Sequence, residues 1–384
     1  MIKKIRVAIK YIFYLFLSFF LKSSKVIKAK SLLIIRLDAI GDYVLFRNFI
    51  EVLKKSEKFK EYNITLLGNS AWKSLSKELD SKYVDKFIWL DRNRFNKDFV
   101  YSYKKLKEIV SNSYEVVLNP VYSREFFCGD IIIKLVNAKE KIGSIGDLSK
   151  IGKLPKNISD KYYDKLIPAK DEIIFEFYRN KEFFENLLAI KIDIKKPYIK
   201  LKSKEISFSL PKNYAVLFIG ASANYRKWSI EGFAEIGEYL REKYGYEIVL
   251  CGAQNDKDNA LKFRKYFNGD YVDLVGKTNL IELLYVIYNG NLIISNETSA
   301  PHFSVSLGMK NIFVISNGNH YGRFAPYPKE VCDSYHIIYH PEIEKDLADY
   351  KRLSNSYRYG SDLDINDISF EMVKNKIDEV LSMC

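Results

Sequence analysis

The chain has 384 residues, 47% apolar and 28% charged, which is long enough for two globular domains with separate hydrophobic cores. Its formal net charge is +13, but eight of the excess positive charges lie in residues 1–30, where there is no acidic residue. The rest of the chain is only mildly basic, which argues against a general nucleic-acid-binding protein.

The cysteines of this chain argue against two further classes of protein. There are four, they lie far apart, and none belongs to a Cys-x-x-Cys pair. This pattern disfavours a zinc site or a disulfide framework and is typical of a reducing compartment. The four are Cys128, Cys251, Cys332 and Cys384.

An apolar run occupies residues 11–21 (YIFYLFLSFFL), flanked by Lys10 and Lys22. It is shorter than the ~20 residues that a spanning helix needs, and the Lys-Ser-Ser-Lys that follows does not resemble a cleavage site. Two interpretations remain: a helix in the membrane interface with its lysines on anionic head groups, or a helix packed into the core. The concentrated charge favours the first, so we predict that residues 1–28 form a basic, aromatic-rich membrane-interface helix.

Strand-like and helix-like segments alternate from residue 31 onward. In the first half, the predicted strands are 32–37, 64–68, 87–91 and 116–118, and the predicted helices are 44–53, 72–79, 101–110 and 173–188. Residues 139–171 are rich in Gly, Pro, Lys and Asp, which predicts loops at the carboxyl edge of a sheet. Residues 191–211 are charged and poorly periodic, which predicts a linker.

A second alternating series begins at residue 215. Its predicted strands are 215–220, 247–252, 271–276, 291–296 and 311–316, and its predicted helices are 229–243, 256–267, 279–288 and 300–307. Residues 317–363 look irregular, and 365–381 predict a last amphipathic helix. The alternation predicts an α/β protein with two doubly wound Rossmann-like domains, 29–200 and 212–350, a cleft between them and a C-terminal tail, 351–384.

Two common nucleotide motifs are missing. The chain contains no Gly-x-Gly, so a nicotinamide or flavin dehydrogenase is disfavoured. Gly276-Lys277-Thr278 resembles the end of a P-loop, but Tyr271 stands where that loop requires glycine.

A strand-to-helix turn, Asp38-Ala-Ile-Gly-Asp42, follows the first predicted strand. In an open α/β sheet such a turn lies at the carboxyl edge, where ligands bind. Asp42 is therefore either a helix cap or a catalytic carboxylate.

Two further segments follow strands of the second series. In 220–228 (GASANYRKW), small residues let backbone N–H groups approach an anion, and Arg226 and Lys227 suit a diphosphate. The alternative is a solvent-facing basic turn anchored by Trp228. In 295–302 (SNETSAPH), polar groups follow an apolar strand and precede a helix; the alternative there is a capping motif with a structural His302.

These three segments, in this order, resemble glycosyltransferase family 9, the lipopolysaccharide heptosyltransferases. The resemblance rests on LLIIRLDAIGDYVL, GASANYRKWSIEGFAEIGEYL and VGKTNLIELLYVIYNGNLIISNETSAPHFSVSLGM. The chain departs from the family's Asn-Asp-Thr-Gly, since Glu297 and Ser299 replace the Asp and the Gly. It also has Arg-Lys-Trp-Ser in place of Lys-Arg-Trp-Pro.

The resemblance implies a GT-B fold and an inverting, metal-independent transfer from a nucleoside-diphosphate sugar. It implies that Asp42 is the general base. It also implies a C-terminal helix that returns toward the first domain. It places diphosphate binding on Arg226 or Lys227, with Thr298 and Ser299, and contacts with the donor sugar or ribose on Glu297 and His302. We also assign Ser222 to the donor side. The acceptor-side residues are Arg36, Gly41 and Arg124.

The expected partners follow from this resemblance together with the basic N-terminal segment and the cysteine pattern. They are a nucleotide-sugar donor, with ADP-heptose as the first guess, and a lipid-linked or lipopolysaccharide-type glycan acceptor at the cytoplasmic face of the bacterial inner membrane. No cofactor, metal or nucleic-acid partner is expected. Two alternatives remain open: a membrane-tethered nucleotide-sugar-binding protein without transfer activity, and a GT-B-like nucleotide-sugar epimerase.

Overall fold

The computed structural model describes residues 10, 12–14, 17, 20, 21, 26–202 and 208–382. The chain forms two compact units. Unit 1 consists of Met1–Glu172 and Tyr178–Asp193, and unit 2 of Ile173–Phe177 and Ile194–Cys384. The chain enters unit 2 for the last time at Ile194, close to the predicted domain limits at 200 and 212.

Unit 1 contains a six-stranded sheet, and every strand pair in it is parallel. Its strand order is β3-β2-β1-β4-β5-β6. The strands are β1 (Ser31–Arg36), β2 (Asn63–Asn69), β3 (Lys86–Leu90), β4 (Ser113–Asn119), β5 (Asn137–Ser144) and β6 (Lys165–Ile167). All six residues of β1 are buried, as the apolar run predicted for a central parallel strand.

The helices of unit 1 follow the predicted alternation. They are α1 (Ile40–Phe46), α2 (Asn48–Lys55), α3 (Lys73–Leu79), α4 (Arg92–Lys97), α5 (Phe99–Val110), α6 (Ile131–Leu135), α7 (Lys153–Asp160) and α8 (Glu176–Leu188). The single helix predicted for 44–53 is two short helices that meet at Arg47.

The prediction of loops for residues 139–171 was wrong. This part of the chain contains most of β5, all of α7 and β6. Only the last three residues of β5 are fully buried, and its earlier part carries Lys139, Glu140 and Lys141 at partly exposed positions. The strand therefore lacks the apolar run by which the central strands were recognised.

Most of the predicted membrane-interface helix lies outside the described residues. The described residues between 10 and 20 are helical. Tyr14 and Leu17 are buried in the core of unit 1, whereas Ile12 and Phe20 are 64% and 61% exposed. Within the described residues, no helix is long and apolar enough to cross a bilayer.

Unit 2 repeats the architecture of unit 1 with a second six-stranded parallel sheet. Its strand order is β12-β11-β10-β7-β8-β9. The strands are β7 (Tyr214–Phe218), β8 (Glu247–Cys251), β9 (Tyr271–Asp273), β10 (Leu292–Asn296), β11 (Ile312–Ser316) and β12 (Tyr335–Tyr339).

Helices cover this sheet and complete unit 2. They are α9 (Ile230–Tyr244), α10 (Lys257–Tyr266), α11 (Leu280–Asn289), α12 (Ser299–Leu307), α13 (Pro341–Glu344), α14 (Tyr350–Tyr357) and α15 (Phe370–Leu381). The prediction of an irregular segment for 317–363 was therefore wrong in part, because it contains β12, α13 and α14. Two tyrosines and a histidine among its five residues conceal β12, a strand that pairs along its whole length with β11.

The C-terminal helix α15 packs within unit 2. Val373 and Ile377 belong to the core of that unit, and Asp378 accepts hydrogen bonds from Tyr239 and Lys243 of α9. The predicted return of this helix toward the first domain stays a prediction.

The two sheets have the same strand order, which is that of a doubly wound fold, as predicted. The strand order reverses between β1 and β4 in unit 1 and between β7 and β10 in unit 2. Ligands of open α/β sheets bind at such switch points, outside the carboxyl ends of the strands. The three segments singled out in the sequence follow β1, β7 and β10, and so all flank a switch point.

Candidate functional site

The turn after β1 is held by two buried side chains of the neighbouring segment. Asn69 Nδ2 donates to the carbonyl oxygens of Leu37 and Asp38, at 3.3 and 3.1 Å, and Trp72 Nε1 donates to that of Asp38 at 3.0 Å. Tyr43 stacks on Trp72 with its ring centroid 4.4 Å away. The start of α1 is thereby fixed relative to the sheet.

Asp42 lies in the first turn of α1 and is half-buried, but it is not the N-cap. That position belongs to Ala39, and no side chain caps it. The sequence left open whether Asp42 is a helix cap or a catalytic carboxylate. Because Ala39 is the N-cap and Asp42 lies within the first turn, Asp42 is not the cap of this helix. Gly41 precedes it in the same turn.

Lys150 supplies positive charge near Asp42. Burial lowers the pKa of Lys150, but the carboxylates of Asp38, Asp42 and Glu125 outweigh this and hold that pKa above its ordinary value. Its Nζ lies 3.3 Å from Glu125 Oε1, and Arg92 also donates to Glu125. The side chain of Lys150 is 41% exposed, so it can reorient toward a ligand.

Arg36 and Arg124, predicted to lie on the acceptor side, are both fully buried. Arg36 Nε lies 3.0 Å from Asp38 Oδ2, and its guanidinium stacks over the Phe46 ring at 4.7 Å. Arg124 donates to Asp160 and stacks over Tyr163. Both arginines therefore stabilise the segments around the carboxyl ends of β1 and β4.

A narrow cavity opens at the switch point of unit 1. It lies at the carboxyl ends of β1 and β4. The polar residues that line it are Asp38, Arg92, Asn119, Ser123, Arg124 and Glu125.

In unit 2, Asn296 joins the two predicted segments. Its Oδ1 accepts from the backbone N–H of Trp228 at 2.9 Å, and its Nδ2 donates to the carbonyl of Ile219 at 3.0 Å. Trp228 is buried and donates through Nε1 to Ile368. The end of β10 is thus tied to the turn after β7.

Arg226 bridges these two segments. It donates to the backbone carbonyl of Glu297, and its Nη2 also lies 3.6 Å from Glu297 Oε1. Its Nη1 donates to Ser222 Oγ at 3.4 Å. Three of the predicted donor residues therefore meet at the switch point.

Glu297 is almost fully buried, and its Oε2 accepts from Ser316 Oγ at 2.5 Å. Burial raises the pKa of this carboxyl, and the nearby Arg226 opposes the shift. A carboxyl in this position is poised to accept or donate hydrogen bonds.

Lys227 points to a different neighbour. Its Nζ donates to Asp256 Oδ1 at 2.7 Å, and Asp256 in turn accepts from the N–H of Ala253. The two adjacent cations thus lie toward different strands, Arg226 beside β10 and Lys227 beside the segment after β8. The sequence alone left uncertain which of these two cations contacts the phosphates.

His302 is buried one turn into α12. Its Nδ1 lies 2.7 Å from the hydroxyl of Tyr327. Burial, with a smaller contribution from Arg226, lowers the pKa of His302 to about 3, so its ring is neutral at pH 7. Thr298 is the N-cap of α12 without a side-chain cap bond, and Ser299 is its first residue; both are half-buried.

The sequence analysis missed several residues that the fold brings to these edges. In unit 1 they are Asp38, Arg92, Glu125 and Lys150; in unit 2 they are Asp256, Asn296, Ser316 and Tyr327. Ser316 ends the predicted strand 311–316, a signal that could have identified it. Lys150 lies in the segment predicted as loops, and no local pattern marks it.

No group of three or more His, Cys, Asp or Glu side chains suited to a metal ion occurs among the described residues. The predicted metal independence stays a prediction.

Comparison with known structures supports the fold. The glycosyl transferase family 9 protein from Veillonella parvula superposes with a TM-score of 0.69 at 17% identity, over 94% of this chain and 100% of that chain. The E. coli heptosyltransferase WaaC with ADP gives 0.65 at 15% identity, over 91% and 99%. The E. coli ADP-heptose lps heptosyltransferase II gives 0.62 at 14% identity, over 92% and 99%.

No curated protein sequence matches this chain. The family model described as glycosyltransferase family 9 (heptosyltransferase) matches residues 151–346, just over half of the chain. This match covers the segments after β7 and β10 and agrees with the GT-B arrangement of two Rossmann-like domains. The chain belongs to glycosyltransferase family 9, the heptosyltransferase family, and is a glycosyltransferase.

Proposed function

We propose that this protein transfers a sugar, with inversion and without a metal ion, from a nucleoside-diphosphate donor to a hydroxyl group of a lipid-linked or lipopolysaccharide-type glycan. ADP-heptose is the first donor to test, because the E. coli relatives include a heptosyltransferase with ADP and one named for ADP-heptose.

The observation that carries this proposal is the position of the polar segments at the switch points. Arg226 lies across Ser222 and Glu297, outside the ends of β7 and β10. Asp42 lies beyond the end of β1, the strand that flanks the other switch point. Ligands of doubly wound sheets bind at these places.

In the proposed reaction, Asp42 accepts the proton of the acceptor hydroxyl as that oxygen forms a bond to the anomeric carbon. The bond from this carbon to the donor diphosphate breaks, and its electron pair leaves with the diphosphate. The positive charge of Lys150 favours the deprotonated form of Asp42 before the reaction.

Groups of unit 2 would stabilise the negative charge that develops on the diphosphate. Arg226 and Lys227 are cations, and the backbone N–H groups at the start of α12 lack a side-chain cap. Fixed donors of this kind stabilise negative charge at the leaving group. On this proposal they supply what a divalent cation supplies in other transferases, so added EDTA should leave the turnover number unchanged.

Asp42→Asn tests the proposed base. We expect kcat for sugar transfer to fall by about 10²–10⁴, because proton transfer by a positioned group contributes this much. Asp171→Asn, at an exposed position of the same unit, is the matched control.

Binding of the donor nucleotide should be unchanged in both variants, as measured by thermal stabilisation with ADP and other nucleoside diphosphates. Turnover at the wild-type rate in Asp42→Asn would refute the proposal that Asp42 is the general base. Stabilisation by a nucleotide sugar that is never turned over would instead favour the binding protein without transfer activity.

We also propose that unit 1 contacts the inner membrane surface from its cytoplasmic side. The described N-terminal residues bury Tyr14 and Leu17 while exposing Ile12 and Phe20. The ring of Phe13 lies 4.5 Å from that of Phe99, at the start of α5, where Val100 is 64% exposed. Exposed apolar side chains beside a basic segment are typical of peripheral membrane proteins.

A further inference from the structure

We propose that unit 2 contains a glycan-binding subsite in a groove formed by Tyr225 and residues 359–364, which we call the tyrosine groove. It rests on the proposed function, because it would take sugar units of the acceptor away from the reacting hydroxyl.

Two exposed tyrosines line this groove. Tyr225 is 54% exposed and Tyr359 is 59% exposed. The guanidinium of Arg358 lies over the Tyr359 ring at 4.8 Å, and the flat apolar faces of such rings suit the apolar faces of pyranose rings. Tyr225 directly precedes Arg226, so the groove begins beside the switch point of unit 2.

The rim of the groove carries hydrogen-bonding groups suited to hydroxyls. Asp362 and Asp364 are both exposed, and Ser361 lies between Tyr359 and Asp362 in the lining. Carboxylates accept hydrogen bonds from sugar hydroxyls and repel phosphate groups. This charge disfavours a nucleotide as the occupant.

A buried amide with unused hydrogen-bonding capacity, that of Asn319, lies behind the residues that line the groove. Asn319 is 1% exposed, its Oδ1 accepts from the hydroxyl of Tyr225 at 3.4 Å, and no described residue accepts from its Nδ2. Its Oδ1 would lie 3.6 Å from a Cβ at Gly360, so the amide lies beneath both walls. Buried amide groups are rarely left without a partner, and a ligand hydroxyl would supply one.

The two walls are joined by a buried side chain. Asn317 Nδ2 donates to the carbonyl of Tyr225 at 3.1 Å and to that of Leu363 at 2.9 Å. His320 Nδ1 lies 3.0 Å from the carbonyl of Arg358, next to Tyr359. The groove is therefore preorganised, which lowers the entropic cost of binding a ligand.

The experiment uses the full-length protein and a panel of purified bacterial lipopolysaccharide core and capsular oligosaccharides, with saturation-transfer NMR as the readout. We expect at least one oligosaccharide to bind. Tyr359→Ala should weaken that binding about tenfold, as truncation of an aromatic anchor does, and Tyr359→Trp should retain it. Tyr288→Ala, at a tyrosine that is also 59% exposed but outside the groove, should have no effect.

The thermal shift given by ADP in the same variants separates the possible outcomes. If a nucleotide binds but no oligosaccharide does, or if Tyr359→Ala leaves glycan affinity intact, the groove is not a glycan subsite and the proposed transfer stands. If Tyr359→Ala weakens the nucleotide instead, the groove binds the base and this proposal is wrong. If no nucleoside diphosphate binds the wild-type protein, the proposed function itself fails.

Discussion

The buried ionisable residues of unit 2 show how one environment suppresses charge on two different groups. Glu297 and His302 belong to the same segment after β10, and both are nearly fully buried. Burial raises the pKa of the acid and lowers that of the base. Both shifts favour neutral side chains, so Arg226 is the principal charge beside them.

The lowered pKa of His302 makes a prediction for stability. The folded protein holds His302 neutral down to about pH 3, whereas the unfolded chain protonates it near 6.5. The contribution of neutral His302 to the free energy of unfolding is therefore complete above pH 6.5. It declines as the pH falls toward 3, by up to about 1.4 kcal/mol per pH unit.

Urea unfolding of the wild type and of His302→Gln at pH 7, 6 and 5 measures this contribution. We expect the free energy of unfolding of the variant to fall less steeply with acid. Equal slopes in the two proteins would contradict a neutral, buried His302.

Lys150 makes a prediction for the pH dependence of activity. Lys150→Met removes a cation near Asp42 and so disfavours the deprotonated carboxylate. The acidic limb of the kcat/KM profile should move to higher pH by about one unit. Lys153→Met, at an exposed lysine of α7, is the control and should leave the profile in place. A profile that is unchanged in Lys150→Met would exclude this electrostatic role.

At the scale of elements, the contact between α9 and the turn after β7 depends on a glycine. Gly232 lies in the first turn of α9, where its N–H donates to Ser229 Oγ at 3.0 Å. A Cβ at this position would lie 2.5 Å from Trp228 Cζ2. The absence of a side chain there lets the Trp228 ring pack beneath the helix.

Gly232→Ala should therefore destabilise the protein, although alanine favours a helix. Overpacking of this kind costs about 1–3 kcal/mol, against a gain of about 1 kcal/mol in helix propensity. Denaturant unfolding measures the difference. Glu235→Ala, at an exposed position of the same helix, should change stability by less than about 0.5 kcal/mol. A Gly232→Ala variant that is more stable than the wild type would show that the Trp228 ring can move aside.

At the scale of the whole molecule, the proposed membrane contact depends on apolar residues from two parts of unit 1. Ile12 and Val100 are each 64% exposed. Replacing either with glutamate adds a charge that cannot enter the lipid interface, so binding to phosphatidylglycerol vesicles should weaken about tenfold.

Leu261→Glu is the control for this experiment, because Leu261 is 67% exposed and lies in unit 2. All three variants should retain the wild-type melting temperature, since none of the side chains is in a core. Vesicle sedimentation of Ile12→Glu and Val100→Glu at the wild-type level would exclude this membrane surface.

The sequence by itself determined the α/β class, the central strands and the three turn segments. Fully buried parallel strands must be apolar, so β1, β7 and β10 are visible as apolar runs, and β1 and β10 end in polar residues. Strands with partly exposed faces are less apolar, and both β5 and the edge strand β12 carry charged or tyrosine residues that concealed them. The pattern thus failed where burial is partial.

Only the tertiary structure decided which side chains meet. The charge of Lys150 interacts with that of Asp42, Arg226 pairs with Glu297, and Lys227 donates a hydrogen bond to Asp256. These pairs are 29 to 108 residues apart in the chain, as their residue numbers give, and hydrophobic periodicity carries no information about such distances. The strand order brings them together, because the carboxyl ends of parallel strands share one edge of a sheet.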